Sequence, residues 1–166
     1  MNMIAAMDLK NGIGKEGGLL CHIPSDLKYF KEKTLGKTVI MGRKTLLSLP
    51  RSAPLAGRRN IILTKTLEKI EETSKNATAE ICSDESMLDE LLTDEEKRDA
   101  FIIGGAAIYS LLIDKADKLY ITHILSDLGA DVFFPEISEK EWKETERSET
   151  IIENGISFYF SVYERI

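Results

Sequence analysis

The sequence predicts an α/β fold: a central mixed, mostly parallel β-sheet flanked by helices and closed by a C-terminal antiparallel hairpin. Three observations predict it. Short apolar runs alternate with helical stretches through most of the chain. Two junctions, Thr38–Leu46 and Ala100–Tyr109, read as strand, glycine, helix. Near the end, Ile156, Phe158, Phe160 and Val162 alternate with their neighbours behind an Asn154-Gly155 turn signal. Residues 1–166 fit a single domain, long enough to bury roughly 70% of the unfolded surface.

Each element has its own signal. Met1–Met7 is a short apolar run, expected as a buried strand. Asp8–Ile23 carries several glycines and no helical period, so it is expected as a long, mobile loop. Pro24-Ser25-Asp26-Leu27 opens a helix, with Ser25 as N-cap, Leu27, Tyr29 and Phe30 on its apolar side, and Gly36 at its end. The first strand–glycine–helix unit follows, then a loop over Leu49–Gly57 with Pro50 and Pro54. Asn60–Thr64 and Thr78–Cys82 are the next strands. Ser83 is expected to cap a helix with Asp84 and Glu85 in its first turn and Met87, Leu88, Leu91 and Leu92 along one face. Thr93–Asp99 reads as a charged connector. The second strand–glycine–helix unit ends near Asp114, Lys118–Ile124 is a strand, and Trp142–Glu149 is expected to pair with Ile156–Tyr163.

Charge points to a class of ligand. The chain is acidic, with 28 Asp+Glu against 22 Lys+Arg and a formal charge of −6. Between Lys33 and Leu67 there is no acidic residue, while Lys33, Lys37, Arg43, Lys44, Arg51, Arg58, Arg59 and Lys65 all fall there. A local positive patch on a net-negative protein favours a small anion over nucleic acid, which needs a broader basic surface. Both strand–glycine–helix joints aim the unpaired N–H groups of a helix start at such an anion, so a phosphorylated cofactor is expected.

Other motifs are set aside. Gly12-Ile13-Gly14-Lys15-Glu16-Gly17 matches a dinucleotide fingerprint, but that mechanism needs a helix opening at the glycines, and Gly18 and Pro24 intervene. Cys21, His22, Cys82 and His123 have no zinc spacing, so no metal is expected. Met3–Met7 is too short for a signal peptide, and Ala100–Ile113 is too short and glycine-broken for a membrane span. Two cysteines do not make a disulfide framework. A cytoplasmic protein without membrane or nucleic-acid partners is expected, and a monomer, because no exposed apolar stripe is evident.

In order along the chain, Ile4-Ala5-Ala6, Ile13-Gly14, Pro24–Phe30, Val39–Thr45, Gly57-Arg58-Arg59-Asn60-Ile61-Ile62, Ile103–Tyr109, Leu119–Ile124 and Phe133-Phe134-Pro135 closely resemble dihydrofolate reductases of the compact bacterial type. The resemblance spans nearly the whole chain, and it is the ordered set rather than any one piece that makes it specific. It implies a dihydrofolate-reductase-like fold and NADPH-dependent reduction of 7,8-dihydrofolate to tetrahydrofolate, supplying one-carbon metabolism.

It also implies roles for residues. Asp26 would hold the amino-pyrimidine ring and promote protonation at N5, with Thr122 bonded to its carboxylate. Without the resemblance, an acid near a helix start is ordinarily a dipole partner. Ile4, Ala5, Leu27, Phe30, Leu49, Leu55 and Ile103 would wall the substrate, and Arg58 would pair bidentately with its glutamate carboxylate. Arg59 is expected to point away, onto the surface. Ala6, Ile13, Gly14 and Leu19 would surround the nicotinamide. Tyr109 would lie near the nicotinamide, and Gly42, Arg43, Lys44 and Thr45, with Gly104, Gly105, Ala106, Ala107 and Ile108, would seat the phosphates. Leu63, Thr64 and Lys65 would lie at the adenosine end, where Thr64, Lys65 and Arg43 would favour the 2′-phosphate. The chain departs from many members at Cys21, where they carry tryptophan, at Ala107 in place of an arginine, and at Val132 in place of threonine. The loss of the indole implies a wetter or wider pocket. The competing readings are a related NADPH-dependent reductase of a pyrimidine or flavin precursor, and a non-catalytic nucleotide-binding module.

Overall fold

The computed structural model describes residues 1–66 and 79–166. The chain runs β1 (Asn2–Met7), β2 (Gly12–Gly14), α1 (Pro24–Thr34), β3 (Thr38–Gly42), α2 (Arg43–Ser48), β4 (Arg59–Leu63), β5 (Ala79–Cys82), α3 (Glu85–Leu91), α4 (Asp94–Asp99), β6 (Phe101–Gly104), α5 (Ala106–Leu112), β7 (Lys118–Ile124), β8 (Val132–Phe133), β9 (Trp142–Arg147), β10 (Ile151–Glu153) and β11 (Ile156–Arg165). Thr78, expected to begin β5, lies outside the described residues.

One sheet takes nine of these strands in the order β10-β11-β7-β1-β6-β3-β4-β5, with β9 also paired to β11. From β7 through β5 every pairing is parallel. The β11 pairings to β7, β9 and β10 are antiparallel. This is the mixed, mostly parallel sheet the sequence predicts.

The strand period of two sorts the core into two layers. Met3, Ile40, Ile61 and Ile102 pack on one face with Leu88 of α3 and Leu112 of α5. Ile4, Val39, Met41, Ile62 and Phe101 pack on the other with Leu46 of α2 and with Tyr29 and Phe30 of α1. Strands covered on both faces favour apolar residues on both sides, which is why β3 carries the apolar run Val39–Met41 and is buried throughout.

Four local expectations are corrected. The N-cap of α1 is Ile23, not Ser25, because Pro24 takes the first helical position, where its missing N–H costs nothing. The N-cap of α3 is Asp84, not Ser83, and Asp84 accepts the Met87 N–H at 3.0 Å. Thr93–Asp99 is not a connector: Thr93 and Glu96 form a reciprocal capping box that opens α4. Asn154-Gly155 turns β10, not β9, into β11, with φ of 52° and 76° at the two residues. β9 pairs instead with the far half of β11, Ser161–Arg165.

Among the described residues, no helix is long and apolar enough to cross a membrane.

Candidate active site

The site lies along the edge where α1, β1 and β7 meet. Asp26 sits in the first turn of α1, and α1 lies across the sheet so that its carboxylate meets β7. Thr122, 1% exposed, donates its hydroxyl to Asp26 Oδ1 at 2.6 Å. Burial pushes the Asp26 carboxyl above its ordinary range, and the Thr122 hydrogen bond pulls the other way without cancelling it. Cys21 lies nearby, its thiol also pushed up by burial and by the Asp26 charge.

β1 runs beside this pair, with Ala6 in register with Thr122. The Ile4 carbonyl accepts the Tyr109 hydroxyl at 2.6 Å. That bond fixes the ring of a fully enclosed tyrosine, whose ionisation burial strongly disfavours. Ile4, Phe30, Leu49, Leu55 and Ile103 come together in one apolar cluster. These five lie on β1, α1, the following loops and β6, so only the fold assembles them. Ala5 is half-buried against the opposite core layer, and Leu27 is 40% exposed at the helix surface.

Arg58 stands beside this cluster, next to Phe30. Its Nε donates to Thr34 Oγ1 at 2.9 Å, its Nη1 to the Ala56 carbonyl at 2.7 Å, and the guanidinium lies 5.8 Å from the Phe30 ring centre. A guanidinium has five N–H donors, so these two bonds orient the fork and leave it donors for a carboxylate. Its neighbour Arg59 is not the free surface residue expected. It binds Glu80 through two nitrogens at 2.7 and 2.8 Å and Glu96 at 2.7 Å, tying β4 to β5 and α4.

The two glycine joints face each other. Gly42 caps α2 and Gly105 caps α5, neither with a side-chain acceptor, so the first N–H groups of both helices stay open to a ligand. A Cβ on Gly42 would stand 3.0 Å from Ile108 Cγ1, and one on Gly105 would stand 3.4 Å from Thr45 Oγ1. Glycine here lets the two helix starts converge. Ala106 and Ala107 continue the first turn of α5, Ala107 exposed, and Lys44 projects outward from α2.

A cavity of about 290 Å³ opens beside this junction, lined by Leu63, Thr64, Lys65, Ser83, Asp84, Glu85, Ile108 and Leu111. Among the described residues, Arg43 Nε is the buried side-chain nitrogen left without a hydrogen-bond partner. A buried unpaired guanidinium nitrogen costs free energy unless an acceptor meets it, and a phosphate would. Cavity, open helix starts and orphaned nitrogen together fit a phosphorylated dinucleotide. Ser83, Asp84, Glu85 and Leu111 were not among the expected cofactor residues. Ser83 and Asp84 lie just before α3, Glu85 opens it, and Leu111 is on α5.

The Asp8–Ile23 segment is more ordered than expected. Gly12–Gly14 forms β2 against β8. Buried Asp8 accepts the N–H groups of Lys10, Gly12 and Leu128 at 2.9, 2.8 and 3.1 Å. Asp131 accepts the Glu16 N–H at 2.9 Å and donates its own N–H to the Gly14 carbonyl at 3.1 Å. Ile13 packs on the core and Gly14 is held by this ladder, whereas Leu19 is 71% exposed at the loop tip. Asp8 and Asp131 are the residues that sequence reading missed here.

A buried acid on α1 against the central strand β7, an apolar cluster flanked by an arginine, and a cavity beside two glycine-capped helix starts are the parts of a small-molecule enzyme site. Comparison with known proteins makes this particular. The family model described as dihydrofolate reductase matches residues 1–165. The chain is 40% identical over 148 residues to dihydrofolate reductase type 3 of Salmonella typhimurium, covering 89% of this chain and 86% of that one. It is 36% identical over 169 residues to the dihydrofolate reductase of Staphylococcus haemolyticus, covering 100% and 96%. With that of Bacillus subtilis the identity is 36% over 167 residues, covering 99% and 94%. The chain belongs to the dihydrofolate reductase family. It is an oxidoreductase that reduces dihydrofolate, in a family that uses a nicotinamide cofactor.

Proposed function

We propose that NADPH is the reductant and that Asp26 is the acid of the reaction. The observation that carries the reading is the Asp26–Thr122 pair, a lone carboxyl held by one hydroxyl in an apolar cleft. The substrate's amino-pyrimidine edge carries adjacent N–H donors that a carboxylate accepts in pairs. Thr122 occupies Oδ1 and leaves further lone pairs for that edge. Ile4, Ala5, Leu27, Phe30, Leu49, Leu55 and Ile103 wall the ring and its aromatic linker, and Arg58 binds the glutamate carboxylate. Bound NADPH supplies the hydride that adds to C6. The accompanying proton goes to N5, and Asp26 promotes its delivery because a carboxyl above its ordinary range carries a proton nearer neutrality.

Gly42–Thr45 and Gly104–Ile108 seat the cofactor's phosphates, while Ala6, Ile13, Gly14 and Leu19 surround its nicotinamide with Tyr109 nearby. Leu63, Thr64 and Lys65 hold the adenosine end. Arg43 with Thr64 and Lys65 selects the 2′-phosphate. NADPH oxidation with dihydrofolate, followed by absorbance beside NADH, tests the reading. Wild type is expected to prefer NADPH strongly. Arg43→Gln raises KM for NADPH at least about tenfold, the worth of one charge-assisted contact, and leaves NADH unchanged. An equal loss with both cofactors would remove Arg43 from the 2′-phosphate. Tight NADPH binding without turnover of dihydrofolate would favour the non-catalytic module instead.

Arg58→Lys tests the substrate end. Lysine keeps the charge but cannot form the fork, so KM for dihydrofolate rises about tenfold with kcat nearly unchanged. A fall in kcat at constant KM would contradict a purely binding role.

We also infer a cytoplasmic monomer. Free thiols at Cys21 and Cys82 are consistent with a reducing compartment, and sedimentation at working concentration tests the oligomeric state.

A further inference from the structure

We propose that Glu153 is a positioning residue for Asp26, clamping the first turn of α1 from the neighbouring hairpin. The helix starts without its own cap. Its N-cap, Ile23, supplies no side-chain acceptor, and Pro24 has no N–H. Ser25 therefore offers the first free donor of α1. Glu153, 128 residues away at the end of β10, fills the gap with both carboxylate oxygens. Its Oε1 accepts the Ser25 N–H at 3.0 Å, and its Oε2 accepts the Ser25 hydroxyl in a closer contact. Two acceptors on one residue fix orientation as well as distance. A negative group at a helix start is also favoured by the helix dipole.

The clamp and the Asp26 contact belong to one ladder. Glu153 is in register with Ile156 on β11, and Phe160 of β11 is in register with Thr122 of β7. Tyr29 of α1 stacks on Phe160 with ring centres 4.2 Å apart. The sheet thus grips consecutive residues of one helical turn, Ser25 through Glu153 and Asp26 through Thr122. Asp26 is faced by Thr122, by the Cys21 thiol and by the Tyr29 and Tyr109 phenols. Glu153 is faced by Ser25 and His22. The Asp26 carboxyl is shifted by burial and by Thr122, so Glu153 acts on it through position rather than charge. Freeing the turn lengthens the Thr122 bond, the contact that holds the Asp26 carboxyl down, and so moves its ionisation upward.

The inference rests on Asp26 being the acid of the reaction. Its test compares Glu153→Ala, Glu153→Gln and Asp26→Asn for kcat and KM across a pH series, with melting temperature for each. Glu153→Ala is expected to raise the pH of the rate limb by about half a unit, an amount such series resolve, and to lower kcat about fivefold on the plateau below that limb, where the acid is protonated and only its misplacement counts. Glu153→Gln keeps an acceptor for the Ser25 N–H and stays nearer wild type on both measures. A lower melting temperature with the limb in its wild-type place would mean that Glu153 only stabilises the hairpin, and the proposal falls. If Asp26→Asn itself leaves turnover intact, the reading of Asp26 and this inference fail together. A collapsed Asp26→Asn beside an unmoved Glu153→Ala limb overturns the clamp alone.

Discussion

Asp26→Asn is expected to lower turnover near neutral pH by at least about a hundredfold, the low end of what a positioned acid contributes. Asparagine keeps the size of the side chain and an oxygen to accept the Thr122 hydroxyl, so the geometry at β7 survives. What disappears is the ionisable proton. In wild type, the rate should fall as pH rises through the raised Asp26 pKa. In the variant that limb is lost, and the residual rate climbs toward acid, where solution protonates the substrate. A stability effect of opposite sign accompanies it. Because the folded state raises this pKa, ionising Asp26 costs folding free energy. The cost is absent below the unfolded value, grows as pH rises toward the folded one, and is complete above it. Asp26→Asn should therefore be more stable than wild type at neutral pH, by on the order of 1 kcal/mol, or about 2–4 °C, with the gap closing toward acid. Gain of stability with loss of turnover separates a catalytic acid from a dipole partner. A partner of the helix dipole would lose stability on neutralisation and keep its turnover.

How much of this was legible in the sequence depended on the range of each signal. The buried strands announced themselves, since Val39–Met41 of β3 and Ile61–Leu63 of β4 are continuous apolar runs and the hairpin alternates cleanly around Asn154-Gly155. Asp26, Thr122 and Arg58 were picked out as an ordered set through resemblance, not from chemistry alone, because one acid at a helix start has many uses. The α4 helix had a signal that was passed over. Thr93 and Glu96 have capping-box spacing, but Asp94–Asp99 has no apolar residue to give a period. The α1 and α3 caps were misplaced by one or two positions, where proline at the first turn and a choice between Ser83 and Asp84 decide. Contacts between distant segments could not be read at all. Asp8 to Leu128, Glu16 to Asp131, Ser25 to Glu153 and Arg59 to Glu80 are ordinary polar residues until the sheet brings them together. They anchor the Asp8–Ile23 segment, the start of α1 and the β4–β5 pair, so the structure that supports the candidate site is less legible than its residues.

Gly104→Ala is the substitution expected to damage the fold and cofactor binding together. Gly104 has φ of +107°, a conformation closed to side chains, and a Cβ there would stand 2.9 Å from Tyr109 Cε2. The ring has nowhere to go. Tyr109 is 4% exposed, its hydroxyl is tied to the Ile4 carbonyl at 2.6 Å, and its ring packs on Phe134 at 4.7 Å between centres. Backbone strain and overpacking each cost about 1–3 kcal/mol, so their sum spans about 2–6 kcal/mol, with about 3 kcal/mol a modest value within it. For a chain of this length that lowers the melting temperature by about 6–12 °C. Relief of the clash requires Tyr109 or the Gly104–Gly105 joint to move, and that joint opens the helix proposed to seat the cofactor phosphates. NADPH affinity should therefore fall by more than tenfold in the molecules that remain folded. Gly36→Ala supplies the comparison, since Gly36 has φ of +76° with nothing within 4 Å of a built Cβ. It carries the backbone cost without the clash, about 1–2 kcal/mol, and lies away from the joint. Equal losses in the two variants would show that the Tyr109 contact adds nothing. Unchanged NADPH affinity in Gly104→Ala would remove the joint from the cofactor site.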